Sequence, residues 1–309
     1  MATTALRRSG TGQRRLGTFL DQNFKYWALL PTLLFMAVLT LYPVGQLLRL
    51  SLSDAQFIKG KLVWSYVGLD HFTTLSHDPV VPDALRNTLV FVAASVIIEG
   101  VLGLLLAVLV SRVRRFAWFY RSVFMIPLLI PPIAISAMWR LMYDYNYGII
   151  NQILIELGAT RPPLWTADPD LALASVVIVD VWHWTSFLFL IMLAGVESLP
   201  HELGEAARVD GASEIQVYRR IFLPLLRPTI IVALMLRTIL AFKVFDQIFL
   251  LTGGGPGTSS EVISLYVYKV FFVQGRMGYG ALLALITALI MSVFVVAYQW
   301  LNSYVNKTR

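Results

Sequence analysis

Residues 205–224 read EAARVDGASEIQVYRRIFLP, and their setting decides how the rest of the chain is built. The segment lies between long apolar runs at 171–196 and 225–251, yet it carries Glu205, Arg208, Asp210, Glu214, Arg219 and Arg220. It therefore belongs in water beside a membrane. Ala206 and Ala207 are strong helix formers, Pro200 suits a first turn, and Gly211 can end a short helix by taking positive φ. Ser213 followed by Gln216 is a capping-box signal for a second short helix, which runs on until Pro224 opens the next apolar run. The expected product is a helix–turn–helix knuckle between two spans. Its small residues Ala206, Ala207, Gly211 and Ala212 let a partner's surface approach the backbone.

Composition agrees with a membrane setting. Of 309 residues, 57% are hydrophobic and 14% charged, and the mean hydropathy is +0.70, too apolar for a soluble domain of this size. With no cysteine, disulfides, thiolate catalysis and thiolate metal sites are excluded. The net charge of +7 falls beside apolar runs, which argues for membrane topology and against a nucleic-acid surface.

Apolar stretches at 28–50, 84–110, 118–142, 171–196, 225–251 and 278–301 are each long enough to cross about 30 Å of hydrocarbon as a helix. The expected fold is all-α and polytopic, with six transmembrane helices. A cytoplasmic arm would occupy 1–26 and a single six-helix transmembrane domain 27–309, with the knuckle loop at 197–224. The first span reads as uncleaved. Lys and Arg in alternate connections number fifteen on one side and five on the other, which places both termini and the Glu205 loop in the cytoplasm.

No GxxxxGK[ST] is present, and the triple glycine at 253–255 lacks the lysine of a phosphate-binding loop, so it reads as a turn. His201-Glu202 does not complete HExxH, because Glu205 stands at the second histidine's place. Neither a metal site nor a catalytic constellation is expected. Charges within spans should face a cavity or a partner. Glu99, beside Gly100 and Gly103, reads as a tie between helices, while Lys243 and Asp246 read as span-end residues that can neutralise each other. Asp180, His183, Trp184 and Phe187 recur at helical spacing and share one face, as do Arg237, Leu240, Ala241 and Val244 on the next span. An acid and two rings facing an arginine suit a polyhydroxylated ligand; packing or interfacial aromatics are the alternative. Pro127, Pro131 and Pro132 predict a kinked or broken third span.

The loop resembles the EAA loop of the permease subunits of bacterial ABC importers: Glu205-Ala206-Ala207, Asp210-Gly211-Ala212 and Ile221-x-Leu223-Pro224 match all its fixed positions. From Tyr26 onward the chain is similar to the carbohydrate-uptake permeases related to the maltose and glycerol-phosphate importers. That likeness is carried by Tyr42-Pro43, by YVGLDHF at 66–72, and by Phe245-Asp246 running into LTGGGP at 251–256. The resemblance implies one of two homologous permeases in the bacterial inner membrane, with an ATPase dimer below that holds the ATP and Mg, an extracytoplasmic sugar-binding protein above, and no cofactor in this chain. It also implies an ATPase-docking role for Glu205, Ala206, Ala207, Asp210, Gly211 and Ala212. A sugar pathway is implied at Asp180, His183, Trp184, Phe187, Arg237, Leu240, Ala241 and Val244, by location only, since apart from the neighbouring Trp182 the identities differ from the maltose subunit. The short N-terminus departs from that subunit, which has additional helices. Two rivals stay open: an ion-coupled secondary transporter using Glu99, Asp180, His183 and Asp246 as a relay, and an importer permease for a non-sugar solute.

Overall fold

The structure is a computed structural model describing residues 24–58, 61–113 and 115–307; the arm expected over 1–26 lies, up to residue 23, outside the described residues. In hydrocarbon each backbone N–H and C=O needs a partner within its own segment, so the apolar runs form helices. In chain order the first elements are α1 (Phe24–Ser51), the hairpin β1 (Ser53–Ile58) and β2 (Lys61–Tyr66), α2 (Asp70–His77), α3 (Val80–Ser111), α4 (Ala117–Leu129), α5 (Pro132–Met142) and α6 (Ile149–Glu156). There follow α7 (Ala172–Glu197), α8 (His201–Val209), α9 (Glu214–Val217), α10 (Leu223–Phe242), α11 (Asp246–Leu251), α12 (Ile263–Tyr268) and α13 (Met277–Lys307). Two π-helical turns, Tyr218–Phe222 and Lys269–Val273, extend α9 and α12.

Among the described residues five helices are long and apolar enough to cross a bilayer, and the α4–α5 pair makes up to six if counted as one span. That pair bends by 92°. Ile130 is extended, as the residue before a proline prefers, and Pro131 and Pro132 then open the next helix, where a missing N–H costs nothing. The run at 225–251 is also two helices. The N–H groups of Lys243 and Val244 bond three residues back, to Leu240 and Ala241, which closes α10 before Asp246 begins α11. The hairpin and the short apolar α12 were not foreseen. Antiparallel pairing from Ser53↔Tyr66 to Ile58↔Lys61 makes the hairpin, too short to announce itself by alternation.

The core sits where α3 and α7 pack along their length, with α10 across both. A Cβ at Gly103 would lie 2.9 Å from the Leu188 Cβ and 3.0 Å from the Phe189 nitrogen, so α3 and α7 approach as closely as glycine allows. On the far side, α1 leans on α13 and leaves its apolar surface outward, the arrangement a lipid environment favours.

One face of the bundle carries the connections. The glycine-rich loop after α11 folds back on α3: Asn87 Nδ2 donates to the carbonyls of Thr258 (2.8 Å) and Glu261 (3.0 Å). Gly254, at φ +91°, has the Glu261 Oε2 so near that a Cβ would lie 1.9 Å from it. The loop is thus the turn its glycines suggested. Asp78 ties the same face together by accepting from the hydroxyls of Tyr266 and Tyr279, each at 2.6 Å. Burial works against its ionisation, but these hydroxyls and the N–H groups of Val80 and Val81 outweigh it and hold its carboxyl below the usual aspartate range. A depressed folded pKa contributes stability above the unfolded value and loses it as pH falls through the folded one. Asp78→Asn should therefore flatten the acid side of a thermal-unfolding profile taken from about pH 5 downward. Equal acid sensitivity in both proteins would contradict the assignment.

Candidate functional site

Two places concentrate chemistry, and a single continuous stretch of chain joins them. The first is the knuckle. Helix α8 ends in a pair of bonds that satisfies its last carbonyls: the Gly211 N–H reaches the Arg208 carbonyl at 3.0 Å and the Ala212 N–H reaches that of Ala207 at 2.9 Å. Gly211 sits at φ +83° with open space around it, so conformation and not room demands glycine there. The capping box forms as its sequence suggested, with the Ser213 N–H donating to Gln216 Oε1 at 2.8 Å and the Gln216 N–H to Ser213 Oγ at 3.4 Å. Arg208 Nε holds Glu214 at 2.5 Å, and Arg112 at the end of α3 reaches the same carboxylate at 3.3 Å. Where α8 crosses the start of the next span, Gly204 leaves room for Phe222, whose Cζ would lie 2.9 Å from a Cβ at that position.

The knuckle presents Glu205, Ala206, Asp210 and Gly211 to the outside, with Ala207 and Ala212 half-buried. Sequence reasoning passed over Val209 and Ile215, which are 88% and 77% exposed on the same turn. The available signal was two branched apolar side chains in an otherwise polar loop.

The second place lies within the bundle. Arg237 of α10 is 1% exposed, and its Nε and Nη2 donate to the two carboxylate oxygens of Glu99 on α3 at 2.5 and 3.0 Å. Its Nη2 also bonds Asp180 of α7, and the guanidinium lies 5.0 Å from the Trp184 ring centre. Both acids are fully buried. Two carboxylates facing one guanidinium leave no spare positive charge in the set. Asp180, Trp184, Arg237, Leu240 and Val244 line one cleft of about 180 Å³. His183 and Ala241 are buried beside it, and Phe187 meets Trp184 edge-on at 5.8 Å, one turn towards the knuckle.

Gln247, also unforeseen, lines this cleft; its Nε2 lies 3.3 Å from His183 Nδ1, and its buried Oε1 has no hydrogen-bond partner. Lys243 and Asp246 flank the same cleft but form no ion pair with each other. Among the described residues no group of His, Cys, Asp and Glu is placed to hold a metal.

Removing one member of a buried charge set typically costs roughly 3–5 kcal/mol. Arg237→Gln, which strands both acids, should lower the thermal midpoint of the purified protein far more than Glu99→Gln, which leaves a balanced Arg237–Asp180 pair. Equal midpoints for the two variants would contradict the charge accounting.

Residues 99–308 match the family described as binding-protein-dependent transport system inner membrane component. The chain is 37% identical over 281 residues to the trehalose/maltose transport system permease protein MalF of Thermococcus litoralis, covering 91% of this chain and 94% of that one. It is 34% identical over 266 residues to the sulfoquinovosyl glycerol transport system permease protein SmoG of Agrobacterium fabrum, covering 86% of each. In fold it matches a chain of a bacterial ABC transporter involved in the import of the acidic polysaccharide alginate, with a TM-score of 0.80 at 24% identity, over 94% of this chain and 99% of the other. With an all-α polytopic fold of the type I ABC permease kind and a family match across most of its length, the chain belongs to the inner-membrane permease components of binding-protein-dependent ABC importers.

Proposed function

We propose that this chain forms half of the translocation pathway of an importer for a neutral, polyhydroxylated solute of the sugar class, and that the knuckle at 205–212 receives the motion of a separate ATPase. Permease subunits of this family are non-catalytic, and ATP hydrolysis belongs to that other subunit. A second homologous permease, an ATPase dimer and an extracytoplasmic binding protein complete the assembly. Both termini and the knuckle lie in the cytoplasm of a bacterial cell, as the excess of Lys and Arg on that side argues.

The observation that carries the docking role is the pairing of a rigid knuckle with exposed Val209 and Ile215. Apolar side chains held in water by a capped, salt-bridged turn are the features of a surface built to be covered. Supporting the solute class are the likeness to a trehalose/maltose permease and the cleft's chemistry: the Trp184 ring for a sugar's apolar face, and the unpartnered Gln247 oxygen for a hydroxyl. Arg237 is spoken for by two acids, which disfavours an anionic sugar. At about 180 Å³ the cleft is smaller than the ~300–1,000 Å³ of sites that hold small organic ligands. Solute entry therefore requires the spans to part, and alternating access supplies that motion.

Glu205→Lys and Val209→Asp should leave the subunit in the membrane but abolish uptake and the co-purification of ATPase activity. Gly211→Leu, which forces a side chain into positive φ at a cost of about 1–2 kcal/mol, should impair both. Wild-type uptake in all three would remove the docking role. For the solute, the cognate binding protein should bind neutral oligosaccharides in calorimetry in preference to uronic or sulfonated sugars. The opposite preference would reverse the reading of Arg237.

A further inference from the structure

Between α3 and α10, where both helices reach the end of their apolar lengths, a groove of about 540 Å³ opens to the outside. Its walls include Val101, Leu105, Val108 and Leu223, and its rim carries Arg112 and Arg219. Val101, Leu105, Val108 and Arg112 follow one another at helical spacing, so a single face of α3 runs as an apolar trough for about 10 Å and then ends in a guanidinium. Arg112 is held there by Glu214 at 3.3 Å and lies 4.5 Å from the Tyr218 ring centre. Arg219 is exposed and forms no ion pair among the described residues. The rim thus sets two guanidiniums against the single carboxylate of Glu214.

We infer that this groove is a site for an anionic phospholipid, with an acyl chain along the trough of α3 and the phosphate on Arg112 and Arg219. Charge complementarity selects that occupant. The apolar length runs along the spans and the positive rim lies at their ends, which is the depth profile of a lipid: hydrocarbon first, charged headgroup last. A water-soluble metabolite would find almost no polar wall below the rim. A zwitterionic lipid would set a second positive charge beside the guanidiniums. The inference rests on the chain spanning a membrane and does not depend on which solute it carries.

The test uses the assembled transporter, purified in mild detergent and equilibrated with phosphatidylglycerol and phosphatidylcholine of matched acyl chains. Native mass spectrometry then counts the lipids retained. Wild type should keep phosphatidylglycerol in preference, Arg219→Gln should cut that preference about fivefold, and Arg219→Lys should restore most of it. Equal retention of both lipids, or a Gln variant that behaves as wild type, would overturn the site. A second measurement does not depend on how well the Gln variant folds. Because the chain has no cysteine, Leu105→Cys gives it a single thiol. A photoreactive probe on that thiol, in phosphatidylglycerol vesicles, should crosslink to lipid; a crosslink to the second permease instead would show the groove to be a subunit interface and sink the proposal.

Discussion

An arginine inside a bilayer has few places to put its charge, and in this chain Arg237 places it between Glu99 on α3 and Asp180 on α7. The constraint is severe, because a charge left unpaired among packed hydrocarbon side chains loses its hydration and gains nothing in return. Three spans are consequently tied at one depth. The tie works alongside the glycine contacts that bring them together: Gly103 against Leu188 and Phe189, Gly195 against Thr229, and Gly100 against Leu234. Dispersion between closely packed helices and the buried charge set hold the same three helices together.

The helix that carries Arg237 follows on from the knuckle through α9 and the π-helical turn Tyr218–Phe222. From Leu223 to Arg237 is about 21 Å of continuous helix, and its first turn is locked to α8 by Phe222 against Gly204. Under the proposed function, a push on the exposed turn would be delivered along this helix to the buried charge set of Arg237, Glu99 and Asp180. Helix α7 enters the knuckle from the other side and brings Asp180 to the same cluster. In the proposed mechanism the two ends of this lever are the docking surface and the solute cleft.

The chain is similar both to a trehalose/maltose permease and to a sulfoquinovosyl glycerol permease, and one fold can serve different solutes; under the proposed function, discrimination would rest on side chains in the cleft. Here the balance of two acids to one guanidinium and the orphaned oxygen of Gln247 set the local character.

Much of this was legible in the residues. Span positions followed from the length of apolar runs, the break near Pro131 from the loss of backbone donors, and the capped turn from Gly211, Ser213 and Gln216, because each depends on interactions within a few residues. The sequence also marked Asp180 and Arg237 as charges that needed partners. Only the tertiary structure decided that Glu99 completes their set, that Gln247 borders the cleft, that 225–251 divides at Lys243, and that Val209 and Ile215 stand uncovered. Those outcomes turn on which helix faces which across gaps of 138 or 57 positions in the chain. Local periodicity assigns a residue to a face of its own helix; what that face meets is set by the packing of all the helices together.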